Sequence, residues 1–150
     1  MMRIIERKGN APKLPAESQL TRWFWQGLSD GQFQTTKCRR CERVSFPPRP
    51  DCPDCLASDM EWAPLATRGK VYTSTLIRAV PTPFIPSAPL PVGVIDLDDG
   101  IRLLCWLVEE AGRLPLDSQV EIVTIRYEDS CLFGAAPSAI CQIRPKYKLG

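Results

Sequence analysis

Four cysteines in two identically spaced pairs, Cys38-Arg39-Arg40-Cys41 and Cys52-Pro53-Asp54-Cys55, carry the clearest chemistry in this chain. A Cys-x-x-Cys turn aims two sulfurs at one point. Two such turns complete a tetrahedral thiolate site with Zn–S bonds of about 2.3 Å. All positions around the metal are then filled by protein, so a zinc ion there holds structure and does not catalyse. It also compensates for a ribbon too small to have its own core. Three rivals compete with zinc: iron on the same sulfurs as in rubredoxin-like sites, two disulfides, or a redox Cys-x-x-Cys pair. A cytoplasmic setting opposes disulfides, and a redox pair leaves the second pair unexplained. One structural zinc ion on Cys38, Cys41, Cys52 and Cys55 is the expectation.

The rest of the composition argues against catalysis. The chain has 150 residues and no histidine. That removes the commonest acid–base group near neutral pH, and with it Ser-His-Asp and Cys-His machinery within this chain. Cys105 lies in an apolar strand and reads as a small buried hydrophobe. Cys131 opens a short strand and Cys141 lies in the tail. A nucleophilic thiol needs an activating environment, and none is evident. No catalytic residue is expected, and the chain is read as not an enzyme on its own.

Lys37, Arg39, Arg40, Arg43 and Arg49 surround the cysteines, against Glu42, Asp51 and Asp54. Cations beside a dianionic metal site offset its charge and lower the cysteine pKa values. The sharper reading has Arg39, Arg40 and Arg49 gripping phosphates of a nucleotide-like cofactor or a nucleic acid. The formal net charge is +2, and a zinc tetrathiolate brings the loaded chain near neutrality. That weakens the case for a broad electrostatic footprint on nucleic acid.

The elements that must position these residues are mainly β. Fifteen prolines favour loops and strands over long helices. Residues 1–17 are basic, contain Pro12 and Pro15, and read as an arm or a frayed terminus. Ser18 caps a short helix to about Gly31, with Leu20, Trp23, Phe24, Gly27 and Leu28 near helical spacing. Trp23, Phe24 and Trp25 either pack on the same chain or anchor a partner. Strands around Phe33–Lys37 and Asp59–Trp62 flank the cysteines, the order a zinc ribbon requires. Five further strands follow: Lys70–Arg78, Pro91–Leu97, Ile101–Val108, Gln119–Ile125 and Leu132–Ala136. Asp98-Asp99-Gly100 is a hairpin turn between the second and third, and Gln119–Ile125 alternates apolar and polar residues. Five strands with a long first connection suggest an OB-type barrel. That connection, Val80–Leu90, carries Phe84, Ile85 and Leu90 among prolines. It either folds them onto the barrel or serves as a docking or ligand-covering loop. The expected organisation is arm and aromatic helix 1–32, zinc ribbon 33–66, barrel 67–140 and tail 141–150. No apolar run approaches a membrane span, and the start lacks a signal-peptide core. A cytoplasmic protein without a membrane partner is expected.

The ordered set resembles a known family: acyl-CoA-associated proteins with a rubredoxin-like zinc ribbon joined to an OB-fold. The residues that carry the resemblance run from about Ser18 to about Ala136. They are Phe24-Trp25-Gln26-Gly27-Leu28, the cysteine set, Phe46-Pro47-Pro48-Arg49, Gly69-Lys70-Val71-Tyr72-Thr73 and the strand–turn–strand around Asp98-Asp99-Gly100. The resemblance implies a non-catalytic partner of thiolase-fold enzymes, which supports the acyl-CoA site or passes on an intermediate. It extends to small subunits of catabolic thiolases, including one for benzoylsuccinyl-CoA. On that basis the expected partner is a thiolase-like subunit in a hetero-oligomer, with a CoA thioester contacted through the complex. The aromatic helix (Trp23, Phe24, Trp25), the proline loop (Phe84, Ile85) and the ribbon arginines (Arg39, Arg40, Arg49) are the expected contacts. Two other readings stand beside it. One is a single-stranded nucleic-acid module using Tyr72, Trp106 and Phe133 as stacking rings; the other is a rubredoxin-like electron carrier.

Overall fold

A computed structural model describes residues 2–12 and 18–138; Cys141 and the tail 141–150 lie outside the described residues. The chain is mainly β. Strands β1 (Ile4–Glu6), β2 (Gln34–Cys38), β3 (Val44–Ser45), β4 (Met60–Pro64), β5 (Arg68–Ile77), β6 (Leu90–Leu97), β7 (Arg102–Leu107), β8 (Gln119–Arg126) and β9 (Cys131–Pro137) accompany one α-helix, α1 (Gln19–Ser29). A 3-10 turn at Thr82–Ser87 lies between β5 and β6, and another at Ala111–Arg113 between β7 and β8.

Helix α1 starts where the sequence says it should. The Ser18 hydroxyl accepts the Thr21 N–H, and the Thr21 hydroxyl accepts the Ser18 N–H, at 3.1 and 2.7 Å. This reciprocal cap satisfies donors that the first turn otherwise leaves open. Eleven residues are too few for a stable isolated helix, so packing must supply the rest. The buried face, Phe24, Gly27 and Leu28, turns inward. At the other end, Thr124 Oγ1 donates to the Leu28 carbonyl at 2.9 Å and Arg126 Nη2 to the Ser29 carbonyl at 2.7 Å. Strand β8 therefore caps the helix C-terminus in place of water.

Strands β3, β2 and β4 form a three-stranded antiparallel sheet, the ribbon. Strands β5 to β9 close a five-stranded barrel in the order β8-β5-β6-β7-β9, with β9 returning to β8. Only β7 and β9 run parallel within it. In barrel numbering that is 1-2-3-5-4-1, the OB topology. The Asp98–Gly100 turn links β6 to β7 as expected; Gly100 holds φ +87°, which glycine adopts without strain. A Cβ on Gly134 would lie 2.7 Å from the Trp106 carbonyl oxygen, so glycine permits the close approach of β9 to β7.

Three features differ from the sequence reading. Residues 4–6 are not an arm: β1 pairs in parallel with Thr124–Arg126 of β8. Strand β5 covers the same edge of β8 only at Gln119–Glu121, so β1 fills the stretch that β5 leaves. Strand β8 does not simply alternate, either. Val120 and Ile122 join the main core, while Val123 and Ile125 form a second cluster against Ile5, Trp106 and Tyr127. Both faces are covered, which selects apolar residues at consecutive positions. Strand β3, with two residues, is too short to leave a sequence pattern.

The main core runs through all parts of the fold. It unites Met2, Phe24 and Leu28, the ribbon's Phe33 and Leu65, and barrel residues such as Ile95, Leu103, Ile122 and Ala135.

Candidate metal centre and adjoining clefts

The two cysteine pairs sit on matching turns. In the first, the Cys38 N–H donates to the Arg43 carbonyl at 2.8 Å and the Glu42 N–H to the Cys38 carbonyl at 2.9 Å. In the second, the Cys52 N–H donates to the Ala57 carbonyl at 2.9 Å and the Leu56 N–H to the Cys52 carbonyl at 3.1 Å. The residue after the second cysteine is left-handed in both: Glu42 at φ +64° and Leu56 at φ +60°. One turn is thus a near copy of the other. Arg43 ties them together, its Nη1 lying 2.9 Å from Asp54 Oδ2.

The four sulfurs all lie within 4.8 Å of one another. Cys38 and Cys55 approach to 3.6 Å, and Cys41 and Cys52 to 3.4 Å. A zinc tetrathiolate with bonds of about 2.3 Å needs sulfurs about 3.8 Å apart, so little movement is required. The backbone is also arranged for anionic sulfur. The N–H groups of Cys55 and then Asp54 stabilise the Cys52 thiolate against burial and bring its pKa down to about 7. At Cys41 the Arg43 amide acts in the same direction. The sulfurs of Cys52, Cys55 and Cys38, together with burial, outweigh it and push that thiol up to about 12. A cation among the sulfurs would offset the mutual repulsion of their thiolates. The donor set fits a soft, tetrahedral divalent metal.

The remaining described cysteines, Cys105 and Cys131, are buried. Burial pushes the Cys105 thiol up to about 12 and raises that of Cys131, whose Sγ sits 3.7 Å from the Trp25 carbonyl. Neither has a thiolate-stabilising partner that outweighs burial.

Next to the ribbon, four phenylalanines meet. Phe24 comes from α1, Phe33 and Phe46 from the ribbon, and Phe133 from β9. Every pair has ring centroids 5.7–6.2 Å apart, mostly edge-on or tilted. Trp25 stands edge-on to Phe24 at 4.9 Å. An apolar groove of about 520 Å³ opens on this cluster, walled by Trp25, Pro47, Pro48, Leu103 and Leu104. It shares Phe46 and Arg102 with a second cleft of about 350 Å³, whose lining includes Arg43, Val44, Arg49, Pro53 and Ile101.

The other expected contacts fall as follows. Trp23 is 61% exposed while Phe24 is 4% exposed, so the aromatic run splits between surface and core. Arg39 is engaged, with Glu61 at 3.2 Å and Asp59 at 3.8 Å. Arg40 is exposed and forms no ion pair among the described residues. Arg49 is exposed at the second cleft, its backbone N–H held by Thr36 Oγ1 at 2.8 Å. Phe84 is half-buried and Ile85 exposed, both on the 3-10 turn. That turn joins the Ile77–Leu90 end of the β5–β6 pair, whereas the ribbon adjoins the Asp98–Gly100 end, where the Ala66 N–H meets Asp99 Oδ2 at 2.8 Å. Ten residues of strand separate the ends by roughly 30 Å. The proline loop and the metal cluster are therefore not one site. Of the barrel rings, Tyr72 is exposed but lies beneath Arg102, whose guanidinium carbon is 3.7 Å from the ring centroid. Arg102 also forms a two-pronged bond to Asp96 at 2.5 and 3.0 Å, which holds the Asp96 carboxyl below its ordinary range.

Comparison with known proteins agrees with this geometry. The family model described as "ChsH2, rubredoxin-like zinc ribbon domain" matches residues 25–61, and that described as "ChsH2, C-terminal OB-fold domain" matches residues 62–124. A DUF35 domain-containing scaffold protein of Methanocaldococcus jannaschii is 32% identical over 95 residues, 62% of this chain and 67% of that protein. This chain belongs to the ChsH2/DUF35 family. Within the family, benzoylsuccinyl-CoA thiolase subunit BbsA of Thauera aromatica is 30% identical over 98 residues, 63% of this chain and 64% of that subunit. The ChsH2/DUF35 match thus spans just under two thirds of that relative's length. A solved structure described as an Ltp2-ChsH2(DUF35) aldolase superposes with a TM-score of 0.72 at 23% identity, covering 83% of this chain and 98% of that one. At that identity the likeness establishes the shared fold.

Among the described residues no helix is long and apolar enough to cross a membrane.

Proposed function

We propose that this chain is a non-catalytic accessory subunit of a thiolase-fold acyl-CoA enzyme, with one zinc ion on Cys38, Cys41, Cys52 and Cys55. The single observation that carries the reading is the closed four-sulfur cluster in a ChsH2/DUF35 chain that has no histidine. The zinc supplies fold energy and no open coordination position. The partner subunit brings the nucleophile and the acid–base groups; this chain brings surface and helps hold the acyl-CoA or the intermediate. Relatives named as a thiolase subunit and as scaffold proteins support that division of labour. Exposed Trp23, and the apolar groove beside it on the same helix, supply the partner contact in this reading. The proline-loop tip at Ile85 supplies a second, separate one.

Native mass spectrometry of the tagged protein, drawn gently from its own host, tests both parts. One zinc with a stoichiometric thiolase-like subunit is the expected result. Zinc without any partner overturns the accessory role, and coloured protein loaded with iron overturns the metal assignment.

A further inference from the structure

Strand β5 has one edge that the fold leaves open. Its first residues, Arg68–Lys70, pair with β8. Val71 then bonds to the turn before β8: its N–H donates to the Ser118 carbonyl at 3.1 Å, and its carbonyl accepts the Asp117 N–H at 2.8 Å. From Thr73 to Ile77 the strand pairs with β6 alone, and no strand lies on its other side among the described residues. A bulge between Val71 and Thr73 bends the chain before this stretch. Edge strands are commonly blunted by charges or proline. Thr73-Ser74-Thr75-Leu76-Ile77 holds neither, and its Thr73, Thr75 and Ile77 are β-branched, so it is a ready template for another strand.

The same edge is apolar and carries opposite charges at its two ends. Tyr72, Leu76 and Ile77 on the strand and Leu116 beside the Asp117 turn are all large and exposed. Apolar residues gathered in this way mark a contact surface, whereas single ones do not. Arg78 follows the strand at one end, and Asp117 stands beside Val71 at the other. Both are exposed, and neither forms an ion pair among the described residues. The strand between them holds the two roughly 20 Å apart, too far to meet within one chain.

We infer that this edge pairs with the same edge of a second copy of the chain, antiparallel about a two-fold axis at Thr75. That axis sets Thr73 opposite Ile77 and Ser74 opposite Leu76, with no charge inside the paired stretch. It sets Arg78 of each copy opposite Tyr72 of the other, next to Asp117. The charges that one chain keeps apart thus form two ion pairs between copies. Charge complementarity of this kind fixes the register of an interface. A second copy is the occupant because it brings the same uncharged open edge with the matching charge at each end. The contact is isologous, so each copy covers the other's edge and the assembly closes at two. The inference does not rest on the accessory role proposed above.

The test is sedimentation equilibrium of the full-length, zinc-loaded chain, with no other protein present, over a hundredfold range of concentration at low salt. The mass is expected to rise from 16.8 kDa to twice that value. Thr75→Lys sets two like charges against each other at the axis and should weaken the dimer at least tenfold. Arg78→Glu should weaken it at least tenfold too, and adding Asp117→Lys to that variant should restore it to within threefold. Arg22→Gln, exposed on α1, should leave it unchanged. A melting curve confirms that each variant is folded. A monomer at every concentration overturns the inference. So does a dimer that Thr75→Lys leaves untouched, or one that Arg78→Glu weakens and Asp117→Lys does not restore. A chain that stays monomeric, yet loses capture of another protein on Thr75→Lys, has a foreign strand on this edge, which also overturns the second copy.

Discussion

Leu56 and Glu42 hold the same left-handed position after their cysteine pairs, and each costs about 1–2 kcal/mol relative to a residue free of that strain. Leu56 is also 78% exposed, so its side chain returns little in packing. Leu56→Gly is expected to raise the stability of the zinc-loaded chain by about 1 kcal/mol, and Leu56→Val to lower it by a similar amount. Thermal melting in saturating zinc checks both. The ligands behave differently. Cys38→Ser or Cys52→Ser removes a soft donor from a buried position, and zinc content by mass spectrometry should fall from one to none. Normal zinc content in either variant would refute the assignment. Neighbours in sequence also part company: Phe24→Ala should cost about 3–5 kcal/mol as a core deletion, while Trp23→Ala leaves the melting temperature unchanged and weakens capture of the partner subunit. A pull-down beside a melting curve separates the two.

Element by element, the fold was legible where a signal is local. The cap at Ser18, the turn at Asp98–Gly100 and the barrel strands each follow from neighbours a few residues apart. The cysteine spacing carries the metal site for the same reason. What the sequence hid is non-local or too short. Strand β1 has three residues, too few for a period, and its partner lies near Thr124. Strand β3 has two residues. Phe24 of α1, Phe33 and Phe46 of the ribbon, and Phe133 of β9 converge from distant stretches of chain, which no linear pattern announces. The Arg102–Asp96 pair was within reach: a turn at Asp98–Gly100 sets the two opposite each other across the hairpin. Strand β1 makes its own prediction. Deleting residues 2–8 uncovers the edge of β8 beyond Glu121 and removes Ile5 from its cluster. A lower melting temperature and faster hydrogen exchange at Thr124–Arg126 are expected; unchanged exchange there would show that β1 contributes nothing to the wall.

For the whole molecule, the four-ring junction decides how the parts answer one another. The ribbon has almost no core of its own, and its Phe33 and Phe46 are spent on rings from α1 and β9. Chelating the zinc should therefore loosen more than the ribbon. The loaded chain is expected to melt in one transition. The stripped chain should show an early loss of ribbon structure and a barrel of reduced stability, read by calorimetry with and without a strong chelator. Thermodynamic reciprocity carries this further. If bound zinc strengthens the barrel through those rings, an intact barrel must tighten zinc by the same factor. Phe133→Ala, in a strand that holds no ligand, should then make the metal dissociate more readily. Zinc retention thus becomes a gauge of the barrel's integrity.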